Sequence, residues 1–327
     1  MPKVSVIIPT YNRERFLPSA IKSVLKQTFT DFEVIVSDDK STDHTKQIVR
    51  SFRDERVKYI LNEGNKGVSA ARNSAILASK GDYIAFLDDD DQWLPVKLQK
   101  QVEVLDNSRP NICGVYANRV FIEKATGKIL SDNPGTKKLR GNLLHQLMIR
   151  CPINTPTVVL KRRCLDKIGL FDETISYMED RDLWIRLSLH WDFEYISESL
   201  ARIYVHGQSH LSQNLEAQTA AKEVILEKYK HLFKKHKRSC ATLYLCLGAQ
   251  YCQLKEMKKG RKYIVKGIIN HPFNKIAYFH FFSSLLGKNN YQHVRNFYLS
   301  ALKMHNPMKA DYQIKGRQES TSFRAEC

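Results

Sequence analysis

Four consecutive aspartates, Asp88 to Asp91, follow the apolar run Tyr83-Ile84-Ala85-Phe86-Leu87. Carboxylates packed that closely repel one another and raise each other's pKa. A hard divalent cation relieves the repulsion, and Mg²⁺ or Mn²⁺ takes oxygen ligands while keeping positions for water and phosphate. Asp88 and Asp90, with Asp91 in support, are the candidate ligands of Mn²⁺ or Mg²⁺, which would bridge a diphosphate. A second acidic pair, Asp38-Asp39, also ends an apolar run, and either carboxylate could accept a nucleobase N–H. Arg72 could meet a phosphate, and Gly67 with the helix start at Val68 would present backbone N–H groups beside it.

These residues need a scaffold that gathers them. Val4–Ile8, Phe32–Ser37, Val57–Leu61 and Tyr83–Leu87 read as strands, rich in branched and aromatic residues. Helical patterns intervene at Arg15–Gln27, Asp43–Phe52 and Val68–Ser79. A βαβαβαβ alternation predicts a mostly parallel α/β sheet with helices on both faces. Parallel strands share one carboxyl edge, where such sheets bind ligands. That edge would collect Pro9-Thr10-Tyr11-Asn12-Arg13, Asp38-Asp39, Asn65 to Arg72 and Asp88 to Trp93. Further on, the pattern predicts helices at Leu94–Leu105, Gly141–Ile149, Arg163–Ile168 and Asp180–Ser188. Strands are expected at Ile112–Ile122 and Gly127–Leu130, turning at Ala125-Thr126-Gly127, and at Thr157–Leu160, Phe193–Ile196 and Ala201–Val205.

From about Leu215 the pattern becomes helical only. Lys262 to Pro272 and Phe297 to Pro307 look alike, with prolines 35 residues apart, and each stretch follows a Leu-Gly pair. The period predicts two helical hairpins resembling tetratricopeptide repeats, or a plain helical bundle. The organisation is thus an α/β region over residues 1–212, a basic helical region over 213–308, and a polar, disordered tail over 309–327.

The motifs together resemble the inverting family 2 glycosyltransferases with the GT-A fold. Those that carry the resemblance are Val4 to Leu17, Ser37 to Asp43, Asn65 through Asn73, Leu87 through Trp93, Gly169 to Glu173 and Glu179 to Trp184, ending near Tyr204-Val205-His206-Gly207. They cover about residues 3–212. The resemblance implies a nucleotide-diphosphate sugar donor, with UDP preferred, and transfer to an acceptor hydroxyl with inversion. It makes Asp180 the catalytic base, with Glu179 orienting the acceptor. Pro9, Thr10, Tyr11, Asn12, Arg13, Asp38, Asp39, Asn65, Gly67, Arg72 and Asp89 are the expected nucleotide-binding residues. Asp88, Asp90 and Asp91 are the expected metal ligands, and His206 is a candidate for the metal or diphosphate. Lys40 stands where the family usually has Gly.

Composition bounds the remaining choices. The chain has 327 residues, 43% of them hydrophobic, and a formal net charge of +18. From Gln213 onward there are 21 basic and 7 acidic residues, which points to a polyanionic neighbour: an anionic membrane face, where the glycan or lipid-linked acceptor that the resemblance implies would sit, an acidic protein partner or nucleic acid. Self-association through these helices is a further expectation. The seven Cys include no CxxC pair, which suits a reducing cytosol with placement at the inner face of a membrane. A nucleotidyltransferase would need a glycine-rich loop after the first strand, and no glycine occurs before Gly64. No zinc pattern or aromatic RNA-binding signature supports a nucleic-acid binder. A catalytically silent scaffold on the same fold is the remaining alternative.

Overall fold

A computed structural model describes residues 1–132, 139–206 and 214–305, with side chains as far as 297. Gly207, the expected boundary after residue 212, Pro307 and the tail from 309 lie outside the described residues. The chain forms two compact units. One is Met1–Leu144 with Cys151–Tyr204, and the other is His145–Arg150 with the chain from Val205.

The first unit begins with β1 (Val4–Thr10), α1 (Leu17–Leu25), β2 (Phe32–Asp38), α2 (Thr45–Ser51), β3 (Val57–Leu61), α3 (Val68–Ala78) and β4 (Tyr83–Phe86). Every residue of β1 and β2 is buried, as strands covered on both faces require. Val4 of β1 pairs in parallel with Phe32 on one side and Tyr83 on the other, and β3 continues the parallel set beyond β2. Next along the chain come β5 (Gln92–Trp93), α4 (Lys97–Asp106), β6 (Ile112–Glu123), β7 (Ile129–Asp132), α5 (Leu144–Ile149, which from His145 belongs to the second unit), β8 (Val158–Lys161), α6 (Arg162–Ile168), α7 (Glu179–Ser188) and β9 (Asp192–Val205). The sheet order is β3-β2-β1-β4-β8-β6-β9-β5, with β7 on β6. Its first four strands are parallel; β8 against β4, β6 against β8 and β5 against β9 are antiparallel.

Some boundaries differ from the sequence expectation for local reasons. Helix α1 starts at Leu17, not Arg15, with Pro18 in its first turn, where its missing N–H costs nothing. Helix α4 starts at Lys97, not Leu94, because Gln92-Trp93 pairs with β9 as a two-residue strand. Helix α5 starts at Leu144, since Gly141 has φ 89° and bridges to Phe193. The two late strands are one, β9. The core joins Val6, Ile8, Val34, Val36 and Ala85 of the sheet to Ile21 and Val24 of α1 and Leu98 and Val102 of α4. Phe86 meets Phe171 and Trp184 edge-on, at centroid distances of 5.5 and 6.4 Å, which fixes α7 against the end of β4.

The described second unit is helical: α8 (Leu215–Lys228), α9 (Lys230–Lys235), α10 (Lys237–Gln253), α11 (Met257–Asn270), α12 (Lys275–Leu285) and α13 (Gly287–His305). Leu245, Cys252, Ile264, Ala277 and Tyr291 form its core. Helices α10 and α11 touch where two glycines face each other. A Cβ on Gly248 would lie 2.9 Å from the Gly260 carbonyl oxygen, and one on Gly260 would lie 2.9 Å from that of Gly248. Among the described residues no helix is long and apolar enough to cross a membrane.

Candidate active site

The loops after β1 and β2 are stitched together. Asp39 N–H donates to the Thr10 carbonyl at 2.9 Å. Asn12, at φ 52°, donates its N–H to Ser41 Oγ at 2.8 Å and accepts from Thr42 N–H through Oδ1 at 2.7 Å. Asp38 accepts from Ser41 N–H at 2.8 Å and from the Tyr59 hydroxyl at 2.6 Å. Burial, then that bond, pushes the Tyr59 hydroxyl well above its ordinary pKa. Asp39 accepts from Lys66 N–H at 3.1 Å and Gly67 N–H at 2.7 Å. Gly67 has φ 91°, a conformation open to glycine at little cost. Both aspartates are therefore buried organisers of the loop ends, each oxygen already accepting one bond with a second lone pair to spare. Pro9 and Thr10 are buried, Tyr11 and Asn12 are exposed, and Asn65 and Gly67 are exposed.

The acidic run opens beside them. The Asp91 N–H turns back onto the Asp88 carbonyl at 3.1 Å. Arg13 Nη1 is 3.9 Å from Asp90. Burial, together with the charge of Asp90, pushes Asp89 up to about 7. Burial and the charges of Asp90 and Asp88 push Asp91 well above the carboxylate range, although Asp91 accepts from Tyr204 N–H at 2.9 Å. Donor chemistry fits a hard divalent cation: the groups are oxygen ligands only, and their charges crowd one another. Among the described residues no three His, Cys, Asp or Glu side chains are grouped to hold an ion. A cation of the Mg²⁺ class needs only one or two carboxylates when phosphate and water complete its shell.

Arg72 ties this run to the start of α7. Its Nη2 donates to Asp88 at 2.9 Å and its Nη1 to Glu179 at 2.7 Å. The guanidinium lies 5.3 Å from the Phe171 ring centroid. Burial opposes the charge of Arg72, but the two carboxylates outweigh it and raise its pKa. Arg72, expected to meet a phosphate, is held here between carboxylates. Its neighbour Asn73 clamps the segment after α6: it donates to the Phe171 carbonyl and to Glu173, both at 2.9 Å, and accepts from Phe171 N–H at 3.0 Å.

Helix α7 begins at Glu179, one residue earlier than expected, because Met178 before it adopts φ 64°. A left-handed non-glycine residue is strained, at roughly 1–3 kcal/mol, and such strain gathers at functional sites. Asp180 is the second residue of α7 and makes no cap there; its Oδ1 accepts from the adjacent Arg181 N–H at 2.6 Å. Thr155 Oγ1 donates to Asp180 Oδ2 at 3.2 Å. Burial, then the charge of Glu179, pushes Asp180 up to about 6, against the lowering pull of Arg72. The sheet's carboxyl edge and the first turn of α7 therefore meet through Asp88, Arg72 and Glu179, with Asp180 beside them. Asp182 and Arg186 form the expected i, i+4 pair at 2.9 Å. His206 belongs to the second unit.

Thr155 and Asn73 were not among the expected site residues. Asn73 lay inside a motif that was read only for Arg72. Thr155 carries no local signal, since its partner is 25 residues away.

A mixed α/β sheet with acidic loop ends on one edge, and a partly buried carboxyl beside them, is the arrangement of a GT-A-type fold. The chain belongs to glycosyl transferase family 2, whose sequence model matches residues 5–168. It is 37% identical over 184 residues to the Escherichia coli UDP-Glc:alpha-D-GlcNAc-diphosphoundecaprenol beta-1,3-glucosyltransferase WfgD, covering 56% of this chain and 69% of that one. It is 30% identical over 249 residues to an uncharacterized glycosyltransferase of Methanocaldococcus jannaschii, covering 74% and 83%. The chain spans 29% of the length of a Rickettsia bellii glycosyltransferase to which it is 36% identical. The crystal structure of S. aureus TarS 1-349 in complex with UDP-GlcNAc matches with a TM-score of 0.66 at 20% identity, covering 91% of this chain and 92% of that one. At that identity the likeness speaks for the fold.

Proposed function

We propose that this glycosyltransferase moves a sugar from a nucleoside-diphosphate sugar, with UDP the preferred nucleotide, to a hydroxyl of a lipid-linked or other glycan acceptor, with inversion. Such a reaction serves the synthesis of surface polysaccharide or glycolipid. The observation that carries the reading is the Asp88–Arg72–Glu179 bridge, which brings the aspartate run and Asp180 into one site. The names of the relatives support the substrate classes: the Escherichia coli enzyme is named for UDP-Glc and a diphosphoundecaprenol acceptor, and TarS was solved with UDP and with UDP-GlcNAc.

In this reading Asp180 takes the acceptor hydroxyl proton as the oxygen attacks the anomeric carbon. The new bond is acceptor oxygen to anomeric carbon. The broken bond is anomeric carbon to diphosphate oxygen, and its electron pair leaves with the diphosphate. A proton-accepting group works best with a pKa close to the working pH, and burial beside Glu179 moves Asp180 that way. Glu179, anchored by Arg72, orients the acceptor. Asp38, Asp39 and the segment from Asn65 to Gly67 shape the base and ribose side. Asp88, Asp90 and Asp91 would hold Mn²⁺ or Mg²⁺, which when bound supplies positive charge against the departing diphosphate.

The test combines binding and turnover. Melting the protein with UDP, GDP and CDP, with and without Mn²⁺, should give the largest rise with UDP plus Mn²⁺, reversed by EDTA. UDP-glucose or UDP-GlcNAc with a polyprenyl-diphosphate-linked sugar should then release UDP and extend the acceptor. No melting shift with any nucleotide, together with no transfer, would overturn the reading.

A further inference from the structure

Helix α12 is built inside out. It buries Ala277, His280, Ser283 and Ser284. His280 is kept there by a 2.8 Å hydrogen bond to the Tyr291 hydroxyl, and burial lowers its pKa to about 4. Ile276 and Phe281 complete the packed side. Tyr278, Phe282 and Leu285 point outward, at i, i+4 and i+7, so they share one face. Phe282 is 61% exposed. Phe273, in the turn that leads into α12, is 91% exposed, and Leu286 at its far end is exposed too. A helix that only had to close a bundle would put these side chains inward and the serines outward. Contiguous exposed apolar groups of this kind mark an interaction surface.

The charge around that face indicates what covers it. No acidic residue occurs between Glu256 and Asp311. Lysines frame the face in sequence: Lys275 at the start of α12 and Lys288 just after its end. On α11, Lys258 and Lys262 share the outward face with exposed Val265 and Ile269. Exposed aromatic and leucine side chains, in a stretch of sequence that carries lysines and no carboxylate, fit the headgroup boundary of an anionic bilayer, where rings insert and ammonium groups meet phosphate. An acidic protein would satisfy the lysines but not a wet row of phenylalanine and leucine.

We propose that Phe273, Tyr278, Phe282, Leu285 and Leu286 seat the second unit on an anionic lipid surface as a peripheral anchor. This is independent of the donor-site reading, because it rests on the second unit alone. The experiment is flotation of the full chain with phosphatidylcholine vesicles, neutral or doped with phosphatidylglycerol. The expected result is recovery with the anionic vesicles only. The double variant Phe273→Ser/Phe282→Ser should lower the partition coefficient at least about tenfold, and Lys262→Glu/Lys275→Glu should lower it as well. Both pairs are exposed, so an unchanged melting temperature is the folding control. Equal flotation with neutral and anionic vesicles would overturn the proposal, as would undiminished flotation of the serine variant. A concentration-dependent dimer lost in the serine variant, with no vesicle binding, would assign the face to a second copy instead. Binding to a soluble acidic protein without vesicle recovery would assign it to such a partner.

Discussion

Asp180 gives the sharpest expectations at the scale of single residues. Burial, then the charge of Glu179, pushes its carboxyl up to about 6, so a base at that position predicts kcat/KM that rises with pH through about 6 and then levels. Asp180→Asn should cut kcat by roughly 10²–10⁴ while leaving the UDP-induced melting shift intact; a variant that turns over at full rate would remove Asp180 from the chemistry. Stability has its own sign. A carboxyl whose folded pKa is raised contributes stability below its unfolded value, and that stability is lost as pH rises through the folded pKa. Asp180→Asn should therefore melt higher than the parent above pH 6, with the gap closing toward pH 4. Thr155 donates to the ionised form of Asp180. Thr155→Val should shift the acid limb of the rate profile upward, a change that a purely structural role would not produce. Arg72→Met leaves Asp88 and Glu179 without their shared cation. Glu179 is largely buried and Asp88 about one-third exposed, so the cost in a urea titration should be roughly 3 kcal/mol, the low end for breaking a buried pair.

At the scale of elements, what could be read in the sequence followed how local the signal was. Strands β1, β2, β3 and β4 are mostly apolar segments, rich in branched and aromatic residues, between turn residues, and they stand close to where the pattern put them. Strand β5 is two residues long and exists only because Ala201 and Arg202 lie opposite it, so nothing within Gln92-Trp93 announces it. Strand β9 reads as two strands because Ser197, Glu198 and Ser199 interrupt its apolar pattern, yet it runs unbroken. Asp88, Asp90 and Asp180 were visible as residues, but the bridge joining them was not, since Arg72 and Glu179 are 107 positions apart. The Leu-Gly pair at Leu247-Gly248, one of the two on which the expected repeat rested, lies at the α10–α11 crossing. Gly248→Ala would put a methyl 2.5 Å from Ile264 Cγ1 and 2.9 Å from a backbone carbonyl. Overpacking of that kind costs about 1–3 kcal/mol, more than the gain of up to about 1 kcal/mol from helix propensity. The melting temperature should fall; a rise would mean that the helices separate freely.

Across the whole molecule the charge is unevenly divided. The first 212 residues are nearly balanced, whereas the remainder carries three times as many basic as acidic residues. Exposed charge acts over about 8–10 Å at ordinary ionic strength and less in strong salt. Raising NaCl during flotation should release the protein from anionic vesicles, whereas UDP binding, made at a partly buried site, should change much less. Loss of both in parallel would argue that the basic charge serves the nucleotide, not a surface. The two halves could be told apart early, because one alternates strands with helices and the other carries only helical patterns. Which face of α12 turns outward was not legible, because an outward aromatic helix face has the same periodicity as an inward one.

The shared guanidinium of Arg72 has a kinetic corollary. Whatever neutralises Asp88 leaves Arg72 to Glu179 alone, and the damped charge of Glu179 then weighs less on Asp180. The base becomes readier to stay ionised once the nucleotide side is filled. Electrostatics alone would thus favour a fixed sequence of arrival, sugar donor first and hydroxyl partner second.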